Sequence, residues 1–391
     1  MKEIQILTLD GFKNLSEIKV GDIVIDSKGR RTTVKTKRTY KSPTYSLYLS
    51  NGTQINFGKK NFIETIRSEV ISQKRIRDKN GKPTNKRDFI YKNIKRNLLI
   101  NDFYNLFSST PNYSKDHYPY KLFNCNFKGF KNRLEIDPYL LGLIIGDGGI
   151  VGNKKDKRLK DKTNRGNPVY TVNTKIDPDL LKNFTKLVNK LGDQVKLIEC
   201  DKSYDYRVNN GNLKEKLIKL NLWGKTCYNK FIPYEYLLST EEDRLAILQG
   251  LMDTDGCCYI RNNEKSQIVR EFDSTSKTLV EQIGFLTYSL GGKTGSLRKK
   301  KCKYKKDNKV IELDHNSYRY DIRLPKHLSA FRCKRKKEKE KAYLKKSYNT
   351  PGFEKNIKSI KKSNKINTFT KITLSNGANS FIGNDFIKIH I

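Results

Sequence analysis

The chain has 391 residues, of which 80 are Lys or Arg and 41 are Asp or Glu, a formal net charge of +39. That length suits two or three domains of about 100–200 residues each. No run of about 18 consecutive apolar residues is present to span a membrane. Such charge exceeds what solubility needs and favours polyanions, nucleic acid foremost. The seven cysteines form no Cys-x-x-Cys pair and there are only four His. A zinc module or a disulfide framework is therefore not expected, and reduced thiols fit an intracellular, cytosol-like compartment. Met1-Lys2-Glu3 runs into strand-like sequence rather than an apolar stretch, which argues against a secretory leader.

Residues 1–66 read as short strands and turns. Ile4 to Leu9 alternates loosely before Asp10-Gly11. Ile23-Val24-Ile25 precedes Ser27-Lys28-Gly29, and Tyr45 to Leu49 and Gln54 to Phe57 flank the hairpin signal Ser50-Asn51-Gly52. Residues 67–135 are basic and of mixed type, a connecting and DNA-recognition candidate with a loop at Asn80-Gly81-Lys82-Pro83. From 136 the pattern turns to mixed α/β. Asp137-Pro138 opens a nearly all-apolar helix from Tyr139 to about Asp147, closed by Gly148-Gly149. A second such helix starts at Ser239 or Thr240, with Glu242 placed for a capping box. It runs through Leu245, Leu248 and Met252 to Gly256. Each is followed by strand-like sequence and another helix, Leu180 to Leu191 and Leu279 to Leu290. The lead helices are offset by 255 − 147 = 108 residues, the period of an internal duplication. Leu49-Ser50-Asn51-Gly52 is matched again at Leu374-Ser375-Asn376-Gly377. The basic runs Arg298-Lys299-Lys300-Lys301 and Lys334-Arg335-Lys336-Lys337 sit on no evident amphipathic helix, which disfavours a membrane surface.

Aligning the lead helices sets Leu140-Leu141-Gly142-Leu143-Ile144-Ile145-Gly146-Asp147-Gly148 on Leu248-Gln249-Gly250-Leu251-Met252-Asp253-Thr254-Asp255-Gly256. Gly142 and Gly250 would let two helix backbones approach closely. Asp147 and Asp255 would end the helices, where the dipole disfavours an anion. Packed about a twofold, the two carboxylates repel unless a cation lies between them. Oxygen ligands select Mg²⁺ or Mn²⁺. Metal beside a basic surface suits phosphodiester hydrolysis.

These segments resemble the paired motif of LAGLIDADG homing endonucleases of the single-chain, two-repeat (DOD) type. The second copy is close to the pattern; the first has Ile145 where Asp is usual. The resemblance implies repeats at 136–238 and 239–348 and a metal site of Asp147 and Asp255 with Gly146 and Thr254. It implies a helix interface at Gly142 and Gly250, and double-strand DNA as substrate. Lys230-Phe231-Ile232-Pro233 matches the Lys-x-Ile-Pro element of intein-borne members, so Lys230 becomes a catalytic candidate. Its counterpart lies somewhere in 334–337.

The ends resemble an intein splicing (Hint) domain. Leu7 to Asp10 through Val20-Gly21-Asp22 looks like its opening block, and Ile372 to Asn384 with His390 like its closing block, 349–391 including the linker. Its chemistry is missing: Met1 replaces the nucleophile, Gly58-Lys59-Lys60-Asn61 replaces Thr-x-x-His, and Ile391 follows His390. The expected fold class is α+β, with two pseudo-symmetric αββαββα repeats inserted in a mostly-β Hint-like domain. The expected function is a splicing-inactive, site-specific endonuclease, monomeric with an internal pseudo-twofold. An RNA maturase and a non-cleaving DNA-binding regulator are the alternatives. Candidate DNA contacts in the first repeat are Lys154, Lys155, Arg158, Arg165, Tyr170 and Lys175. In the second they are Arg261, Lys265, Gln267, Arg270, Arg298, Lys299, Lys300, Lys334 and Lys336.

Overall fold

The computed structural model describes residues 3–77, 82–109, 120–125, 127–151, 166–198, 205–261, 267–306, 309–346 and 355–390. The chain divides into two compact units, 1–126 with 353–391, and 127–352. Among the described residues no helix is long and apolar enough to cross a membrane.

In the first unit the two ends of the chain share one eleven-stranded sheet. Gln5–Thr8 pairs antiparallel with Ser380–Gly383, and Arg31–Leu49 pairs with Lys355–Leu374 along nearly its whole length. Their inward side chains form one core, including Ile6, Val24, Leu47, Phe57, Ile357 and Phe381, all at most 1% exposed. Neither stretch has enough apolar residues to fold without the other. Much of the basic region after 66 joins this sheet: Phe62–Arg77 and Pro83–Leu99 form a long hairpin, followed by a helix, Ile100–Ser109. Asn80 and Gly81 of the loop expected at 80–83 lie outside the described residues.

The repeated Leu-Ser-Asn-Gly segments fold as the same turn. Gly52 N–H donates to Leu49 O at 3.1 Å and Gly377 N–H to Leu374 O at 3.2 Å. Asn51 Oδ1 accepts from Thr53 N–H and Asn376 Oδ1 from Ala378 N–H, both at 3.1 Å. Gly52 and Gly377 hold φ of +87° and +70°, the left-handed region open to glycine.

The second unit is built on two helices, Pro138–Asp147 and Glu241–Thr254. Asp137 Oδ1 accepts from Tyr139 N–H at 3.0 Å and Leu140 N–H at 3.1 Å, and Pro138 fills the first helical position. In the second helix Thr240 is the cap and accepts from Asp243 N–H at 3.3 Å. The residue closing on the cap is thus Asp243 rather than the expected Glu242, because the helix starts one residue later. A strand leaves each helix at its Asp-Gly end. Gly148–Gly149 enters a four-stranded antiparallel sheet with 169–171, 205–209 and 194–197. Gly256–Arg261 enters a five-stranded one that contains the basic strand Arg298–Lys306. The second basic run lies on a helix, Lys334–Lys346, which is charged nearly all round rather than amphipathic.

Arg244, wholly buried, ties this unit together. Its guanidinium donates to Ser239 O at 3.0 Å, to Ser289 O at 2.8 Å and to Phe127 O. Arg244→Met would leave three buried carbonyls without a donor and should cost about 3–5 kcal/mol. The single tryptophan, Trp223, lies in this unit, so its fluorescence in a urea titration reads the loss directly.

Candidate active site at the helix crossing

The two apolar helices cross at their glycines. A Cβ on Gly142 would lie 2.5 Å from Ile247 O and 2.9 Å from Gly250 Cα. A Cβ on Gly250 would lie 2.5 Å from Tyr139 O and 2.9 Å from Leu143 N. No side chain fits there, so backbone meets backbone. One turn further on, Gly146 packs against the Thr254 side chain. The next residues along each helix are Asp147 and Asp255, and their charges meet there.

Asp255 reaches solvent yet is surrounded by protein mass. Burial, then the negative charge of Asp147, push its carboxyl up to about 7; Lys230 and Lys336 oppose the shift. Burial likewise raises Asp147, against the pull of Lys336 and Lys230. No hydrogen bond from a described residue relieves either carboxylate. Two close carboxylates with their lone pairs open form a hard-oxygen donor set that fits a divalent cation. The Gly146 carbonyl accepts from Lys230 at 3.0 Å and the Thr254 carbonyl from Lys336 at 3.2 Å, which leaves each a second lone pair.

A lysine closes each helix end. Lys230, 8% exposed, donates to Gly146 O at 3.0 Å and Gly148 O at 2.7 Å. Lys336 donates to Met252 O, Asp253 O, Thr254 O and Gly256 O at 3.1, 2.6, 3.2 and 2.8 Å. Both ammonium groups satisfy carbonyls left open by the helix terminus and sit at its negative end. Burial lowers both pKa values, against the nearby carboxylates. Among residues 334–337 it is therefore Lys336 that stands opposite Lys230, and the sequence offset, 336 − 230 = 106, is close to that of the aspartates. Lys336 is therefore not the exposed DNA contact expected from the sequence, since its ammonium turns inward.

Supporting contacts differ on the two sides. Ser276 Oγ donates to Lys230 O at 2.7 Å, and Gln282 clamps Ile232 through its N–H at 2.7 Å and its C=O at 2.8 Å. On the other side Asp253 Oδ2 accepts from Tyr139 OH at 2.8 Å, Cys333 N–H at 2.9 Å and Arg332 N–H at 3.0 Å. Its Oδ1 is buried without a partner among the described residues, and burial moves the acid up to about 6 despite those bonds. Sequence reading missed Asp253, Tyr139 and Gln282. Asp253 could have been found as the polar residue inside an apolar helix, whereas the partners of the other two are remote in sequence. Asp177, Asp179 and Cys333 also cluster, but the Asp177 oxygens hold Arg335 at 2.8 Å each and Asp179 accepts from Lys334 N–H at 2.8 Å.

Of the expected DNA contacts, Lys154, Lys155, Arg158, Arg165 and Lys265 lie outside the described residues. Arg261 and Gln267 are paired across neighbouring strands. Lys175 is exposed, in a turn. Lys299, Lys300 and Lys334 are exposed, and Arg298 is half-exposed against Glu271 at 2.8 Å and Asp321. Two expectations are overturned by burial. Tyr170 is 0% exposed and stacks on Phe184 at 4.2 Å. Arg270 is 2% exposed and is paired with Glu340.

The family comparison falls on this site. Residues 242–327 match the LAGLIDADG-like domain. That LAGLIDADG-like span begins in the first turn of the second crossing helix and includes Gly250, Asp253 and Asp255. No curated protein matched the chain. Among solved structures, the homing endonuclease I-DmoI in complex with DNA and Ca is 20% identical, with a TM-score of 0.33, over 49% of this chain and 83% of that one. Mesophilic variants of I-DmoI are 17% identical, with a TM-score of 0.33, over 55% of this chain and 94% of theirs.

Proposed function

We propose that the chain is a two-repeat LAGLIDADG homing endonuclease that makes metal-dependent double-strand breaks in DNA. The observation that carries this is the crossing itself. Gly142 and Gly250 bring two helices into backbone contact, and each helix ends in an aspartate backed by an inward lysine. Residues 136–238 form one repeat and 239–348 the other, so one chain supplies two halves of a site for two strands.

Asp147 and Asp255 would hold Mg²⁺ or Mn²⁺, with the carbonyls of Gly146 and Thr254 beside them. When bound, the cation supplies charge neutralisation at the scissile phosphate and acidifies water. The chain's own groups prepare that chemistry. Lys230 and Lys336 fix the carbonyl ends of the helices and put positive charge where a pentavalent phosphate gathers negative charge. Gln282, Ser276 and Asp253 hold the segments that carry those lysines. Lys175, Lys299, Lys300, Arg298 and Lys334, with Arg261, Gln267 and the basic residues of 154–165 and 265, would position the duplex.

We read the first unit as a Hint-like remnant that no longer splices. Asn61 stands where the Thr-x-x-His histidine is expected. Its Oδ1 accepts from Gly58 N–H at 2.8 Å and Tyr40 OH at 3.0 Å. His390 Nε2 is engaged with Glu64 at 2.9 Å.

The test is cleavage of DNA carrying the gene's own insertion locus. Linear product should form with Mg²⁺ or Mn²⁺ and vanish on chelation. Tight binding without any cut, with either metal, would favour the maturase or regulator reading instead.

A further inference from the structure

In the first unit, the paired strands Arg31–Leu49 and Lys355–Leu374 carry eleven basic residues, Arg31, Lys35, Lys37, Arg38 and Lys41 on one and Lys355, Lys358, Lys361, Lys362, Lys365 and Lys371 on the other. They carry no Asp or Glu. The other long strand pairs do: Phe62–Arg77 with Pro83–Leu99 includes Glu64, Glu69 and Asp88, and Arg298–Lys306 with Lys309–Arg323 includes Glu312, Asp314 and Asp321. Lys35, Arg38, Lys41, Lys358, Lys361, Lys362 and Lys365 are exposed and form no ion pair with a described residue. Arg38 lies directly opposite Lys371. Like charges facing across a strand pair destabilise it, and a bound anion removes that cost.

The geometry narrows the partner. The flanking strands reach only 31–33 and 44–48 of the first strand and 355–356 of the second. Over 34–43 and 366–374 no third strand pairs with these two among the described residues, although Val34, Ile372 and Leu374 join the core and Tyr40 OH donates to Asn61 Oδ1 at 3.0 Å. Cations emerge on both faces of this two-stranded ribbon. Arg38 and Lys371 share one face with Tyr40 and Phe369, while Lys41 lies on the other, opposite Thr368. A flat anionic membrane would engage one face only. Duplex DNA offers rows of phosphates on either side of a groove, which the exposed cations of the two faces can meet while the inward side chains stay in the core. Hydroxyls of Thr39, Thr368 and Thr370 lie between the lysines and can donate to phosphate, whereas those of Thr36 and Thr373 bond each other at 2.8 Å.

We propose that this acid-free ribbon is a second DNA-binding element, one that engages duplex phosphates without help from the crossing-helix site. It rests on the nuclease reading only for the choice of DNA as partner, and its test reads binding rather than cutting.

The test uses the full chain with Lys35, Arg38, Lys41, Lys361, Lys362 and Lys365 all changed to Gln. A control changes six exposed lysines elsewhere, Lys19, Lys28, Lys182, Lys186, Lys190 and Lys219, also to Gln. Affinity for a labelled duplex of arbitrary sequence is followed by anisotropy from about 50 to 300 mM salt. The ribbon variant should bind at least about tenfold more weakly near 150 mM, and the slope of log K against log salt should become shallower by about 3–5. The control should shift it little. Equal shifts in the two variants, or a loss confined to duplex RNA or anionic vesicles, overturn the proposal. Should the six-fold variant fold poorly, Arg38→Gln with Lys41→Gln and Lys361→Gln with Lys362→Gln should each lower the slope by about 2; no change in either pair overturns it as well. Metal-dependent cutting at saturating protein should survive in the ribbon variant, so loss of cutting in every protein, wild type included, would count against the nuclease reading and not against the ribbon.

Discussion

Gly250→Ala should cost at least about 3 kcal/mol in the unit spanning 127–352 and abolish DNA cutting with it. Helix propensity alone argues the other way, since alanine in place of a mid-helix glycine gains about 1 kcal/mol. The sign of the change therefore decides between two pictures. In the crossing described above, the added methyl would sit 2.5 Å from Tyr139 O and 2.9 Å from Gly142 Cα. Both are backbone atoms and cannot rotate away, so the helices must part. Parting them strips contact from Leu143, Leu251 and their neighbours and moves Asp147 away from Asp255. Gly142→Ala should do the same through Ile247 O at 2.5 Å. The double variant should cost less than the sum, because helices already separated leave room for the second methyl. Urea unfolding followed by Trp223 fluorescence measures all three. A stabilised Gly250→Ala protein would show that the helices do not meet at this glycine.

How far the sequence reveals this site depends on the range of the forces involved. The crossing helices were legible because their determinants are local. Asp137-Pro138 caps one, Thr240 caps the other, and the mainly apolar runs ending in Asp-Gly need no distant partner to be recognised. The glycine contact was legible for the same reason, since a small residue at a matched place in two buried helices has few other uses. Burial of polar side chains was not. Arg270 reads as a surface cation until Glu340, 70 residues on, is seen to neutralise it. Tyr170 reads as a base-stacking candidate until Phe184 covers its ring. Lys336 is indistinguishable from Lys334 and Lys337 along the chain, and only the fold turns its ammonium onto four carbonyls. The helix that carries it escaped notice because Lys334–Lys346 is charged nearly all round. Likewise nothing local announces that 31–49 pairs with 355–374. That pairing joins segments separated by the whole second unit, and it alone assembles the acid-free ribbon.

Asp255→Asn should slow cleavage by about 10³-fold or more, on the order of 4 kcal/mol of barrier, while making the metal-free protein more stable. A carboxylate kept only for structure would not behave this way. Asp255 receives no hydrogen bond from a described residue, and burial followed by the charge of Asp147 raises its acid to about 7, against about 3.9 in an unfolded chain. The folded state therefore holds more protons than the unfolded state between those values. The contribution of Asp255 to the stability of the metal-free wild type is therefore lost as pH rises from about 4 to 7. The amide carries no charge to desolvate and none to repel Asp147, so the variant should lose part of that slope and melt higher near neutral pH. Adding Mg²⁺ should reverse the order, because a cation between Asp147 and Asp255 stabilises the wild type and has one carboxylate fewer in the variant. Thermal melting at pH 5 and pH 8, with and without Mg²⁺, reads the two effects separately from activity. Asp147→Asn should follow the same pattern, since burial raises that acid too. Wild-type cutting by either variant, or a lower melting point without metal, would mean that the paired acids serve the fold and not the phosphodiester.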